Sequence, residues 1–374
     1  MTPGKLLLLA SVVLPSILAT VLPAGAQPGT PDDRMICGQV DTGYVAILAC
    51  TREIASDKYE GRDLAILHNS RGLAYRASGD LNAAVADYGR AIDIDPKFPD
   101  AFANRGFEYA ARGDLDRAIA DYSRAIENNP KFAWAYNSRG YAYGAKGDLD
   151  RAIADYSKTI EIDPKFVWAY NSRAYAYGAK GDLDHAIADY NTAIEIDPKG
   201  AESHNNRGMA YGAKGDLDRA IVDYNKAIEI NPKYEGAYGN RGNAYEAKGD
   251  NERAIADYSR VIELNPNDAF AYNNRGIAYR AKGDNAHATA DYDRAIGINP
   301  KFTFAYNNRG RLYHSMGDED RAIADYGKAI EINPRFANAY SNRSLAYRAK
   351  GDNEHANADY SNAIEIDPKL ATAR

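Results

Sequence analysis

The sequence predicts an all-α chain of stacked helix pairs, and three observations predict it. Pro96, Pro130, Pro164, Pro198, Pro232, Pro266, Pro300, Pro334 and Pro368 recur at an unbroken spacing of 34. The Gly-Asp pairs from Gly79-Asp80 to Gly351-Asp352 keep the same period, and the phrase DRAIADYSRAI at 116–126 returns as DRAIADYSKTI at 150–160. A fixed period of this length marks a repeat architecture in which each unit buries its apolar face only against its neighbours.

Nine units occupy 65–370, taken as 65–98, 99–132, 133–166, 167–200, 201–234, 235–268, 269–302, 303–336 and 337–370, with 371–374 as a C-terminal tail. Each unit is numbered 1 to 34 here, with the proline at 32. Gly at 15 suits a left-handed helix stop and Asp at 16 suits the next N-cap, so each unit splits into two helices of about a dozen residues. Helices that short are marginal alone, and stacking supplies their stability.

Alanine at 20, Tyr at 11 and 24, Ile at 28 and a small residue at 8 recur in all nine units. With Pro at 32, this pattern resembles the tetratricopeptide repeat (TPR) family over the whole of 65–370. The resemblance implies a right-handed superhelical solenoid whose first helices line a concave groove. It implies binding rather than catalysis, with contacts at positions 2, 5, 6, 9 and 12.

Two departures from the family pattern occur together in every unit. Position 7 is always Arg and position 23 always Asp, as in Arg105 and Asp121 or Arg139 and Asp155. An Arg buried between helices is costly unless a carboxylate faces it, so the two are expected to pair within each unit. The rival reading is a row of ligand-binding arginines.

At the N-terminus, 1–26 carries one early Lys, an apolar stretch broken by Pro15, and the small-residue site Ala24-Gly25-Ala26. That reads as a secretory signal peptide, placing the mature chain in the periplasm or outside the cell; the alternative is an uncleaved membrane anchor. Residues 27–64 then form a cap. Its phrase AILACTREI at 46–54 aligns with the second-helix phrase AIADYSRAI, making a half-repeat. Cys37 and Cys50 are the only cysteines, and an even count in an exported chain predicts a disulfide rather than a redox pair, for which the C-x-x-C spacing is missing.

Net charge is −6, with 52 acidic against 46 basic residues, which disfavours nucleic acid and anionic membranes as partners. The six His residues substitute singly within the helical pattern, and no catalytic, metal or cofactor constellation is visible. Of 29 Tyr, 24 sit at positions 4, 11 and 24, where the pattern uses them for packing.

Specificity is therefore sought where the units differ. Units three and four carry Trp134, Asn137 and Tyr141, then Trp168, Asn171 and Tyr175, each set on one helical face, with Phe107 alongside. Trp and Tyr commonly anchor interfaces, although such rings also pad seams between repeats. Asn206, Asn240, Asn274 and Asn308 belong to an asparagine row at position 6. Such a row suits the backbone of an extended peptide, or braces the helices locally. Phe270 and Phe304 at position 2 and Arg311 at position 9 give the C-terminal units a second apolar and basic character. The expected partner is a protein or extended peptide in the groove. A polysaccharide stacked on the rings, in an exopolysaccharide synthesis or export assembly, is the alternative.

Overall fold

The computed structural model describes residues 33–39 and 43–371. The signal-peptide assignment at 1–26 and the tail from 372 lie outside the described residues. The chain divides into two units, one to Ala169 and one from Tyr170.

In the first, α1 (Asp33–Cys37) and α2 (Tyr44–Ile54) precede α3 (Gly61–Ser78), α4 (Leu81–Ile94), α5 (Pro99–Ala111), α6 (Leu115–Asn128), α7 (Ala133–Ala145) and α8 (Leu149–Ile162). Helix α9 (Val167–Ala179) spans the division. The second unit continues with α10 (Leu183–Ile196), α11 (Ala201–Ala213), α12 (Leu217–Ile230), α13 (Glu235–Ala247), α14 (Asn251–Leu264) and α15 (Ala269–Ala281). It closes with α16 (Asn285–Ile298), α17 (Thr303–Ser315), α18 (Glu319–Ile332), α19 (Ala337–Ala349), α20 (Asn353–Ile366) and a 3-10 turn at Pro368–Ala371. Within each unit every helix packs on the next, and successive first helices also touch, as α15 does α17.

Local chemistry sets the boundaries. Gly147 at position 15 takes φ 83°, and the Asp148 side chain accepts the Arg151 N–H at 3.1 Å, so one residue stops a helix and the next starts another. At position 31, Asp163 Oδ1 accepts the Lys165 N–H at 3.0 Å, turning the chain past the proline. Helix α3 departs from the pattern, because it begins at Gly61, ahead of the predicted repeat start at 65. Arg62 stands where later units have proline, so nothing interrupts the helix there.

The core is a row of small residues facing rings. The position-20 alanines are buried throughout, and a Cβ added at Gly276 would lie 2.8 Å from the Tyr292 ring. Close approach of the two helices of a pair thus requires the small residue at position 8. In the cap, the Cys37–Cys50 disulfide joins α1 to α2 and is buried against Leu67 of α3.

Candidate functional site

The first helices carry two different surfaces, one locked into the stack and one open. In the locked surface, each position-7 arginine grips the position-23 carboxylate of its own repeat with two parallel bonds. Arg105 Nε and Nη2 donate to Asp121 at 2.8 and 2.8 Å, Arg139 to Asp155 at 2.8 and 2.8 Å, and Arg275 to Asp291 at 2.8 and 2.7 Å. The carboxylates are buried, and this geometry engages the fork that a ligand-binding row would need free. A third bond runs to the preceding repeat: Arg139 Nη1 donates to Ser123 Oγ at 3.0 Å, Arg207 to Asn191 Oδ1 at 2.7 Å and Arg275 to Ser259 Oγ at 2.9 Å. Its sequence signal is the Ser, Asn or Asp at position 25 of the preceding repeat, which is not visible within a single repeat.

Neighbours tune these pairs in opposite directions. Burial alone would raise the Asp87 carboxyl, but bonds from Arg71, His68 and Arg90 hold it below the usual carboxylate range. Burial raises Asp325, and although Arg309 binds it, nearby Asp293 adds to the rise.

On the open surface, the tryptophans at position 2 differ. Trp134 is half-buried, with Phe107, Tyr122 and Phe132 ring centroids at 6.3, 6.1 and 6.0 Å. Phe107 is itself sandwiched, since the Arg76 guanidinium lies 4.0 Å above it. Trp168 is 45% exposed and Tyr141 49%. In the second unit Tyr175, Phe270 and Phe304 are exposed, and Phe270 and Phe304 flank buried Phe302 at 4.6 and 6.2 Å. Met209 and Leu345, exposed at position 9, extend this surface with aliphatic side chains that an aromatic pattern does not include.

The asparagines bond to one another across repeats. Asn240 Nδ2 donates to Asn205 Oδ1 at 3.0 Å, Asn308 to Asn273 at 2.9 Å and Asn342 to Asn307 at 2.9 Å. Asn206 and Asn274 accept from Asn205 and Asn273 at 3.2 and 3.0 Å. These rungs brace adjacent first helices while leaving each carboxamide further donor or acceptor capacity. Two oxygens have no partner: Asn137 Oδ1 in the first unit and Asn171 Oδ1 in the second are buried and unbonded.

Clefts of about 540 and 480 Å³ lie at the turns, lined by residues such as Asp114 and Lys146 or Asp250 and Lys282, away from the exposed rings. Among the described residues no cluster of His, Cys, Asp and Glu is arranged to hold a metal ion, and no helix is long and apolar enough to cross a membrane.

Tandem helix pairs with a regular stitched seam and a variable first-helix face define a helical repeat protein. The chain belongs to the tetratricopeptide repeat family. Family matches described as tetratricopeptide repeat cover 133–166, 201–234, 269–302 and 303–336, then 156–188 and 223–256, and 337–370. Those described as TPR repeat cover 72–110, 106–147, 179–215 and 242–283, so the matches run without a gap from 72 to 370.

No curated protein matches the chain. Among solved structures, a tetratricopeptide repeat protein from Parabacteroides merdae is similar at a TM-score of 0.53 and 22% identity, over 66% of this chain and 98% of that one. The APC/C hetero-tetramer Cut9-Hcn1 gives a TM-score of 0.51 and 16% identity, over 91% of this chain and 67% of that chain. These two share the fold. MamA is 33% identical over 44% of this chain and 96% of its own, with a TM-score of 0.40.

Proposed function

We propose that this protein is an exported, non-catalytic scaffold that binds an extended segment of a protein partner along its first helices. The observation that carries the reading is the exposure of Tyr141 and Trp168, large rings that the stack leaves about half exposed. An exposed ring of this size contributes most when a partner covers it. Beside Tyr141 on α7, the buried Asn137 Oδ1 lacks a donor, and rotation of its carboxamide toward the open face would let a peptide N–H supply one. Tyr175 and Asn171 repeat the combination on α9 in the second unit.

The rest of the assignment follows from chemistry outside the rings. The Cys37–Cys50 disulfide suits an oxidising compartment, which supports the signal-peptide reading of 1–26 and a periplasmic or secreted location. Helices α1 and α2, joined by that disulfide and packed on α3, act as the N-terminal cap of the repeats.

Crosslinking capture from the cell envelope tests the proposal, with the mature protein compared against Tyr141→Ala/Trp168→Ala. Discrete proteins held by the parent and lost from the variant, with helical content unchanged by circular dichroism, are expected. Capture that survives both substitutions would overturn the assignment of these rings. Capture abolished by digestion of polysaccharide would transfer the site to a glycan.

A further inference from the structure

The three C-terminal helix pairs, α15 to α20, carry a surface organised differently from the exposed rings of α7. Three levels can be distinguished along the first helices α15, α17 and α19. At the N-terminal level stand Phe270 and Phe304, 62% and 56% exposed. In the middle lie the asparagine rungs, where Asn308 bonds to Asn273 and Asn342 to Asn307. These bonds hold position 6 of each helix beside position 5 of the one before, so equal repeat positions lie at equal levels. At the C-terminal level are Arg280 and Arg348 at position 12 and Arg311 at position 9, with Arg311 and Arg348 exposed.

The arginines differ from their position-7 counterparts. Among the described residues, no carboxylate lies within 4.0 Å of Arg280, Arg311 or Arg348. The carboxylates in their neighbourhood are already engaged. Glu246 receives the Tyr258 hydroxyl at 2.9 Å and burial raises its carboxyl, while Glu319 Oε2 pairs with His314 Nδ1 at 2.6 Å. The Tyr292 hydroxyl is fully buried beneath this level, with the Arg280 side chain as a polar neighbour. Burial raises that hydroxyl to about 12, and the charges of both Arg280 and Arg311 act on it in the opposite sense.

Positions 2 and 12 of one helix are separated by about 15 Å along its axis, and positions 2 and 9 by about 10 Å. A single side chain cannot touch both levels. An extended chain can, because its successive side chains point to opposite sides. With its backbone over the asparagines, one set of side chains meets the phenylalanines and the alternate set meets the arginines.

We propose that α15, α17 and α19 bind an extended peptide segment in which apolar and acidic side chains alternate. The proposal rests on the scaffold reading above and specifies the ligand of this part of the face. Charge complementarity selects the acidic partner, since unpaired guanidinium groups bind carboxylates with strong directional bonds. The chain's overall net charge of −6 selects a short acidic segment over a long polyanion, which the remaining surface would repel. Three adjacent first helices span about 20 Å, or roughly six extended residues.

The test uses a fluorescein-labelled decapeptide alternating Leu and Asp, titrated into the mature protein and followed by anisotropy. The comparison peptides have the same composition in two blocks, or Lys in place of Asp. Saturable binding of the alternating peptide alone is expected, weakening with salt and by at least about tenfold in Arg280→Gln/Arg311→Gln/Arg348→Gln. Phe270→Ala/Phe304→Ala weakens it as well, whereas Tyr141→Ala/Trp168→Ala does not. Equal binding of the block peptide, equal binding of polyglutamate or polyuronate, or no binding of the alternating peptide would each overturn the proposal. Envelope capture that still depends on Tyr141 and Trp168 would in that case leave the scaffold reading standing.

Discussion

The buried seam and the exposed face of the first helices are built from the same repeats and obey opposite rules. At positions 7 and 23 the chain writes Arg and Asp in every repeat, and the forks close at 2.6–2.9 Å from Arg71–Asp87 to Arg343–Asp359. At positions 2, 9 and 12 it writes Trp, Phe, Tyr, Met, Asn, Arg and others in turn. Sameness marks what every helix pair of this chain needs, and variation marks what single repeats add. A buried pair stitched to the preceding repeat fixes register within each unit, while the open face varies without disturbing it.

The largest expected effect lies at the seam. Asp155→Ala leaves Arg139 buried with its fork empty, and is expected to cost about 3–5 kcal/mol. Chemical denaturation followed by circular dichroism measures it, and the loss should appear first in the repeats around α7 and α8 because stability in such arrays is passed between neighbours. A cost below about 1 kcal/mol would mean that the pair is dispensable and the seam held by the rings and alanines alone.

The two tryptophans sharpen the contrast on one repeat position. Trp134→Ala removes a ring packed against Phe107, Tyr122 and Phe132, and should cost about 2–3 kcal/mol, somewhat less than a fully buried aromatic. Trp168→Ala, at 45% exposure, should cost under about 1 kcal/mol. Equal costs would show that position 2 belongs to the seam in both repeats, and would remove Trp168 from the proposed binding face.

Sequence alone carries the seam further than the face, and the reason is physical. A period of 34 with Gly-Asp caps dictates helix pairs, since each of those residues acts on its own backbone. An Arg matched by an Asp in every copy dictates a pair, because neither charge is tolerated alone at a helix interface. Helix α3 begins early because Arg62 stands where later repeats have proline, a local signal that the 34-residue period does not contain. The difference between Trp134 and Trp168 was not legible. Both follow a Phe by two residues and both have an aromatic at position 9 of the preceding repeat, and a difference, Arg76 over Phe107 where Ala110 holds the corresponding position for Tyr141, lies two repeats away. The asparagine row was likewise ambiguous, because one carboxamide can bond a neighbour and a ligand together. Its rungs depend on position 5 of the previous repeat, which is Asn at 205, 273 and 307 but Gly at 239.

The smallest expected effect distinguishes two pairs within the seam itself. Asp87 is fully buried, with its folded carboxyl held below the unfolded value of about 3.9. Its contribution is therefore complete above about pH 4 and is lost as pH falls toward the lower folded value. Asp325, raised by burial and by Asp293, has the opposite sign: its contribution is present below the unfolded value and is lost as pH rises through the folded one. Thermal midpoints of Asp87→Asn and Asp325→Asn at pH 7 and pH 3 resolve the difference. The gap between parent and Asp87→Asn should narrow by a few degrees on acidification, whereas the gap for Asp325→Asn should widen. If both gaps move together, the third neighbours His68, Arg90 and Asp293 do not tune the pairs, and the seam is as uniform in energy as it is in sequence.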